Sequence, residues 1–196
     1  MTKSKRWTVL NAEKVYENPW ISLEHADVIA PTGNKGIYGK VHMKNLAIGI
    51  LPIDESGWTW LVGQHRYCFD DYSWELPEGG GPRAEAPLES ARRELAEEIG
   101  REAETYIPIL ENVQFSNSVT DELGFAYIAH NLRPCAARRD ETELLEVRHL
   151  PLKQVFDMMD QGKLTDMFTV AMLSRAHYLA HTGQLPEEIA RCFLDI

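Results

Sequence analysis

Apolar and polar positions alternate through residues 7 to 31, WTVLNAEKVYENPWISLEHADVIAP, and the stretch is rich in β-branched and aromatic residues. A period of two is the signature of strands with one covered face. The cluster Pro31-Thr32-Gly33-Asn34-Lys35-Gly36 supplies a turn. Residues 1–42 are therefore expected to form an antiparallel β meander, set apart as an N-terminal subdomain from a main domain over residues 43–196. LAIGILPI (46–53) is a continuous apolar run, as in a strand covered on both faces, and WTWLVGQHRY (58–67) returns after a turn over Asp54–Gly57. TYIPILENVQF (105–115) and GFAYIAHNL (124–132) read as two further strands joined by SNSVTDEL. RPCAARRDETE (133–143) is polar and without period, and LLEVRHLPL (144–152) is strand-like again. LKQVFDMMDQG and LTDMFTVAMLSRAHYLAHTG then predict helices stopped by Gly162 and Gly183. Leu164, Met167, Phe168, Ala171, Met172, Arg175 and Leu179 follow helical spacing there, a stripe that suits a core rather than a cofactor box. Strands, one central helix, more strands and closing helices describe a mixed α/β sandwich.

The central helix departs from an ordinary pattern. In WELPEGGGPRAEAPLESARRELAEEIGR (74–101), three glycines and two prolines lead into a segment carrying Glu94, Glu97 and Glu98. With Leu88 at zero and a step of about 100° per residue, Ala91, Leu95 and Ile99 fall near 300°, 340° and 20°. That is the core-facing stripe. Glu97, Glu94 and Glu98 fall near 180°, 240° and 280°, so the acids converge and Glu98 borders the core. Like charges at this spacing repel by a few tenths of a kcal/mol per pair. A solvated face paired with Arg92, Arg93 and Arg101 is the ordinary reading of an acid-rich helix. The glycine run changes it, because glycine lets backbone approach a ligand closely and a helix N-terminus favours an anion. A hard divalent cation with oxygen ligands would turn the repulsion into attraction.

Bulk properties narrow the partners. The chain has 196 residues, enough for one domain with a small addition, and 44% hydrophobic with 26% charged residues is an ordinary soluble composition. No apolar run reaches the roughly 20 residues of a membrane span. The start MTKSKRW is basic with no apolar stretch behind it, which points to no secretory signal and a cytoplasmic location. A net charge of -10 argues against a broad grip on nucleic acid but leaves room for a small polyphosphate held through metal ions. Cys68, Cys135 and Cys192 have neither disulfide nor zinc spacing and read as reduced, mostly packing residues.

Gly79-x5-Glu85-x7-Arg93-Glu94-Leu95-x-Glu97-Glu98-x-Gly100 resembles the Nudix box with its spacing intact. Eight fixed residues, each at about 7% usage, match by chance on the order of once in a billion windows. One position departs: Arg101 stands where an aliphatic residue is usual, which bears on local packing. The resemblance implies an α/β/α sandwich with a mixed sheet and a hydrolase in which Mg2+, or Mn2+, assists attack of water on a nucleoside diphosphate linked to another group. By position, Glu94 and Glu98 resemble the main metal ligands and Glu97 a third ligand with a part in catalysis. Arg93 resembles the arginine that orients these acids, and Glu78 offers its peptide carbonyl as a metal ligand.

The flanks resemble the ADP-ribose and nucleoside diphosphate sugar pyrophosphatases of that family. There a Gln-x-Arg strand end precedes Trp-Glu-Leu-Pro-x-Gly, here Gln64-His65-Arg66 and Trp74 to Gly79. The resemblance implies that Arg66 contacts a phosphate, which a guanidinium can bind as a fork, and that Glu75 belongs to the site. It assigns the general base to a loop after the box, matched by Asp140-Glu141-Thr142-Glu143, with Glu141 as base and Glu143 as runner-up or extra ligand. Ser116-Asn117-Ser118 stands where a Ser-Pro-Gly element is common, which favours a broader nucleotide-sugar activity over strict ADP-ribose use, and Glu122 is expected to face substrate. Members of this group often form homodimers by exchanging N-terminal strands. Trp20 or Tyr16 would then stack on the base, worth about 1–3 kcal/mol, although core or interface packing accounts for either equally well. The substrate expected is a nucleotide sugar, ADP-ribose or an ADP-hexose. Rival readings are a GDP-mannose-type or dinucleoside polyphosphate hydrolase and a non-catalytic nucleotide-sugar-binding module.

Overall fold

β4 (Asn45–Pro52) organises the molecule because its two faces are both apolar. In the computed structural model, which describes residues 6–136, 145–194 and 196, this strand lies inside a four-stranded sheet. The order is β7 (Glu78–Pro82), β4, β9 (Leu123–Pro134) and β8 (Arg101–Gln114). β4 runs parallel to β9 and antiparallel to β7, so the sheet is mixed. Leu46, Ile48 and Ile50 pack with Ala91 and Leu95 of α1 (Pro87–Ile99) on one face. Leu51 and Ile53 pack on the other with Phe168, Met172 and Leu173 of α3 (Met167–His181). Gly49 permits that approach, since a Cβ there would collide with the Met172 thioether. Each fully buried Leu or Ile contributes on the order of 1.5–3 kcal/mol, so this alternation holds both helices to one strand.

A second, antiparallel sheet has the order β10 (Glu146–Pro151), β5 (Trp58–Arg66) and β6 (Asp71–Glu75). The N-terminal meander forms a third from β1 (Thr8–Glu17), β2 (Ile21–Ile29) and β3 (Lys35–Met43). Helices α2 (Leu152–Asp160) and α4 (Glu187–Ala190) join α3 against the main core. The mixed α/β sandwich with an N-terminal antiparallel meander is the architecture expected from the pattern.

Four local differences stand out. The glycine run is not a loop: Glu78–Pro82 forms an edge strand, with Gly49 opposite Glu78 and Asn45 opposite Pro82. β8 begins at Arg101, directly after Gly100 ends α1 in the left-handed region at φ 63°, and the Arg101 guanidinium lies 5.5 Å from the Trp60 ring. The stacked guanidinium thus finds a partner that an aliphatic residue would not need. α3 also starts later than its apolar spacing suggests. Asp166 caps it by accepting the Thr169 N–H at 2.6 Å, which leaves Met167 exposed and moves the buried stripe to Phe168, Met172, Leu173, Ala176 and Leu179. Cys68 is exposed rather than a packing residue, because it sits in the turn between β5 and β6.

Candidate active site

Ala91 and Leu95 anchor α1 to the sheet and so decide which way its acids point. Glu94 and Glu98 are buried at 8% and 4% exposure, with Glu97 half-buried beside them. The wheel is therefore right about Glu98 and places Glu94 correctly next to it. Glu98 Oε2 accepts the Glu78 N–H at 3.0 Å, which ties the helix to the start of β7. Gly79 is where Glu94 comes down, since a Cβ there would fall within the Glu94 carboxylate. Arg93 donates from Nη1 to Glu94 at 2.8 Å and Glu97 at 2.9 Å, and from Nη2 to the Gly80 carbonyl at 2.9 Å. One guanidinium nitrogen thus orients two acids at once while the other holds the β7 backbone. These groups, with Trp20 and Asn45, line a cavity of about 290 Å³.

The donor set suits a hard divalent cation: carboxylate oxygens converge on one wall, and a glycine leaves room for backbone and Glu94 to share that wall. Glu94, Glu97 and Glu98 would hold it, with the Glu78 backbone adjacent.

A second acidic group, which the helix pattern does not reveal, lies alongside. Glu75 is 2% exposed and bound in a fork by Arg66, through Nε at 2.9 Å and through Nη2. Nη2 also reaches Glu78 Oε1 at 3.3 Å. Hydrogen bonding to Glu75 pushes the Arg66 pKa further up, against the desolvation that would lower it. Asp166 joins Glu75 and Glu78, with one oxygen from each mutually within 4.8 Å. Burial, then the charges of Asp166 and Glu75, push the Glu78 carboxyl well above the usual range, and Arg66 only partly offsets them. Its Oε2 is buried without a hydrogen-bond partner.

An adjoining cavity of about 410 Å³ shares Trp20, Asn45, Glu78 and Gly80 with the first and adds Gln64, Arg66 and Glu122. Burial pushes the Glu122 carboxyl up. The 116–122 loop is held to β3 by the Met43 N–H donating to Asp121 at 3.0 Å and by Arg83 bridging Met43 and Asp121 carbonyls. Trp20 comes from the β1–β2 turn, so the meander reaches the site. The structure thus assembles Trp20, Arg66, Glu75, Glu78, Glu94, Glu97, Glu98 and Glu122 around contiguous cavities. Tyr16 is exposed and lines neither of the two cavities described. Glu141 and Glu143 lie outside the described residues. Asp166 and Asn45 were not singled out from sequence; their signals, a helix cap and a polar residue heading an apolar run, are too common to mark a site. Among the described residues no helix is long and apolar enough to cross a membrane.

The chain belongs to the Nudix hydrolase family: residues 43–168 match the NUDIX domain model, and residues 7–41 match that of the nucleoside diphosphate sugar hydrolase N-terminal domain. Its relatives include an ADP-ribose pyrophosphatase of Mycobacterium tuberculosis, 25% identical over 95% of this chain and 90% of that one. Another ADP-ribose pyrophosphatase, from Bacillus subtilis, is 26% identical over 85% of this chain and 90% of its own. A CMP-5'-(N-acetyl-N-hydroxy-3-aminopropyl)phosphonate hydrolase of Streptomyces rubellomurinus is 27% identical over 92% and 87%. The crystal structure of an ADP compounds hydrolase superposes with a TM-score of 0.82 at 22% identity, covering 94% of this chain and all of that one, which shows the common fold.

Proposed function

We propose that this protein is a divalent-metal-dependent pyrophosphatase that hydrolyses a nucleoside diphosphate sugar, ADP-ribose or an ADP-hexose, to a nucleoside monophosphate and a sugar phosphate. The observation that carries the reading is the convergence of Glu94, Glu97, Glu98 and Arg93 with the Glu78–Gly80 backbone on one cavity, continuous with a second holding Trp20, Arg66 and Glu122. The ADP-ribose pyrophosphatases among its relatives support the substrate class. Mg2+ or Mn2+, when bound by Glu94, Glu97 and Glu98, would neutralise the diphosphate and raise the acidity of the attacking water. Arg93 keeps Glu94 and Glu97 in place. Arg66 has Nε and Nη2 on carboxylates, so Nη1 remains for a phosphate oxygen, a single contact rather than a fork. Trp20 offers a face for the base. Glu141, with Glu143 as runner-up, is the proposed general base.

The same reading divides the chain into a meander, 1–42, and a catalytic domain, 43–196, acting in the cytoplasm as a homodimer. Every residue of β1 is exposed, including Val9, Leu10, Val15 and Tyr16. A strand so apolar and uncovered suits an interface with a second copy.

The test is product analysis on purified protein with Mg2+ or Mn2+ against ADP-ribose, ADP-, GDP- and UDP-sugars, dinucleoside polyphosphates, NTPs and a CMP-linked phosphonate. Release of AMP and a phosphatase-sensitive sugar phosphate is expected. Turnover of none of these substrates, or binding without turnover in calorimetry, would overturn the proposal.

A further inference from the structure

We infer that Glu75, Glu78 and Asp166 form a second site for a hard divalent cation, beside the one expected among Glu94, Glu97 and Glu98. Three carboxylates meet from three elements: β6, β7 and the cap of α3. Among the described residues Arg66 is the cation that bonds to this group, and its bonds do not satisfy it. Both Glu75 oxygens are taken by the guanidinium. Glu78 receives one long bond on Oε1, while its Oε2 has lost contact with solvent and has no donor. On Asp166, Oδ2 takes the Thr169 N–H at 2.6 Å, and among the described residues Oδ1 carries no hydrogen bond. With all three carboxyls ionised, as ligands of a cation would be, three acids against one arginine leave two negative charges, the amount a divalent cation neutralises.

Distances agree with that charge count. A hard cation with bonds of about 2.0–2.5 Å keeps its ligand oxygens within about 5 Å of one another. Here one oxygen from each carboxylate lies within 4.8 Å of the others. An orphaned, buried carboxylate oxygen is costly to fold around unless something pairs with it. The group also has access: Arg66, Glu75, Glu78 and Asp166 line a cavity of about 610 Å³ whose walls include Phe69 and Tyr72. Three protein oxygens leave coordination positions for water, as Mg2+ prefers. The site does not depend on the catalytic reading, although Glu78 links the two places through its N–H bond to Glu98.

Mn2+ alone is the probe, titrated into chelator-stripped full-length protein and followed by the electron paramagnetic resonance of free Mn2+. Asp166→Asn and Glu78→Gln are each expected to bind one Mn2+ fewer than wild type, or to hold one of the ions at least tenfold more weakly. Glu98→Gln should remove a different Mn2+, and combining it with Asp166→Asn should remove both. Asn keeps the cap oxygen of Asp166, and Gln keeps the volume of Glu78, so the unfolding midpoints in EDTA should stay within a few degrees of wild type. The two variants lie on different elements, and if one fails to fold the other decides. The same stoichiometry and affinity in wild type and the folded variants overturns the second site. Loss of all Mn2+ with Glu98→Gln alone overturns it too, whereas retention of all Mn2+ by Glu98→Gln counts against the box site instead.

Discussion

Gly79 and Glu94 share one volume, so the box glycine acts through an acid fifteen positions away rather than through flexibility alone. Gly79→Ala should displace the Glu94 carboxylate and its bond to Arg93. The expected result is a loss of kcat of tenfold or more, with overpacking costing about 1–3 kcal/mol of stability. Steady-state kinetics beside chemical denaturation will show it, and wild-type kinetics in the variant would mean Glu94 has another position open to it. Glu122 is a quieter case with a definite sign. Burial raises its folded pKa above the unfolded value of 4.5. Between those two values the native state holds more protons than the unfolded one, so stability falls as pH rises through that window. Glu122→Gln should flatten this fall in denaturation curves taken from pH 4 to pH 7. A slope unchanged by the substitution would assign the titration elsewhere.

Elements explain what could be read ahead of the structure. β4 and α1 were legible because one is an unbroken apolar run and the other carries a helical stripe, and each meets partners that fit it. The wheel of α1 needed only Ala91 and Leu95 in the core to aim Glu94 and Glu98 correctly. β7 was not legible, because glycine is depleted in strands and a Gly-Gly-Gly run reads as a loop. It pairs nonetheless because small residues let the edge strand run under α1, where a Cβ on Gly81 would crowd Ser90. Asp166 joins Glu75 and Glu78 only through packing of α3 on β4, which no local spacing encodes. The base at Glu141 or Glu143 rests on resemblance alone. The meander was legible as strands, and its uncovered β1 leads to a prediction at this scale. Leu10→Asp with Val15→Asp, both at exposed positions, should convert a dimer to a monomer in light scattering while leaving the Nudix core folded. Wild type that is monomeric at micromolar concentration would remove the proposed interface.

Across the whole molecule, a chain of net charge -10 concentrates acids on two adjoining sites, and the question is what that concentration does to stability. Buried like charges oppose folding until a cation joins them, so the metal-free protein should be the weaker one. A cation bound only by the native state adds RT ln(1 + [L]/Kd), about 2.7 kcal/mol at a hundredfold excess over Kd. For a chain of this size, each kcal/mol moves the midpoint by roughly 2–4 °C. One occupied site should then raise Tm by about 5–10 °C, and two by up to about twice that, provided they bind independently. Mn2+ or Mg2+ should produce the rise, and Na+ at matched ionic strength should not, because screening acts weakly on buried groups. Glu98→Gln keeps an oxygen for the Glu78 N–H and should fold, yet lose both the box-site share of the rise and kcat by several orders of magnitude. The share of the rise that persists in Glu98→Gln measures the cation held by Glu75, Glu78 and Asp166, and Asp166→Asn should abolish that remainder. A Tm indifferent to divalent cations would show that the acids are balanced by protons and arginines alone.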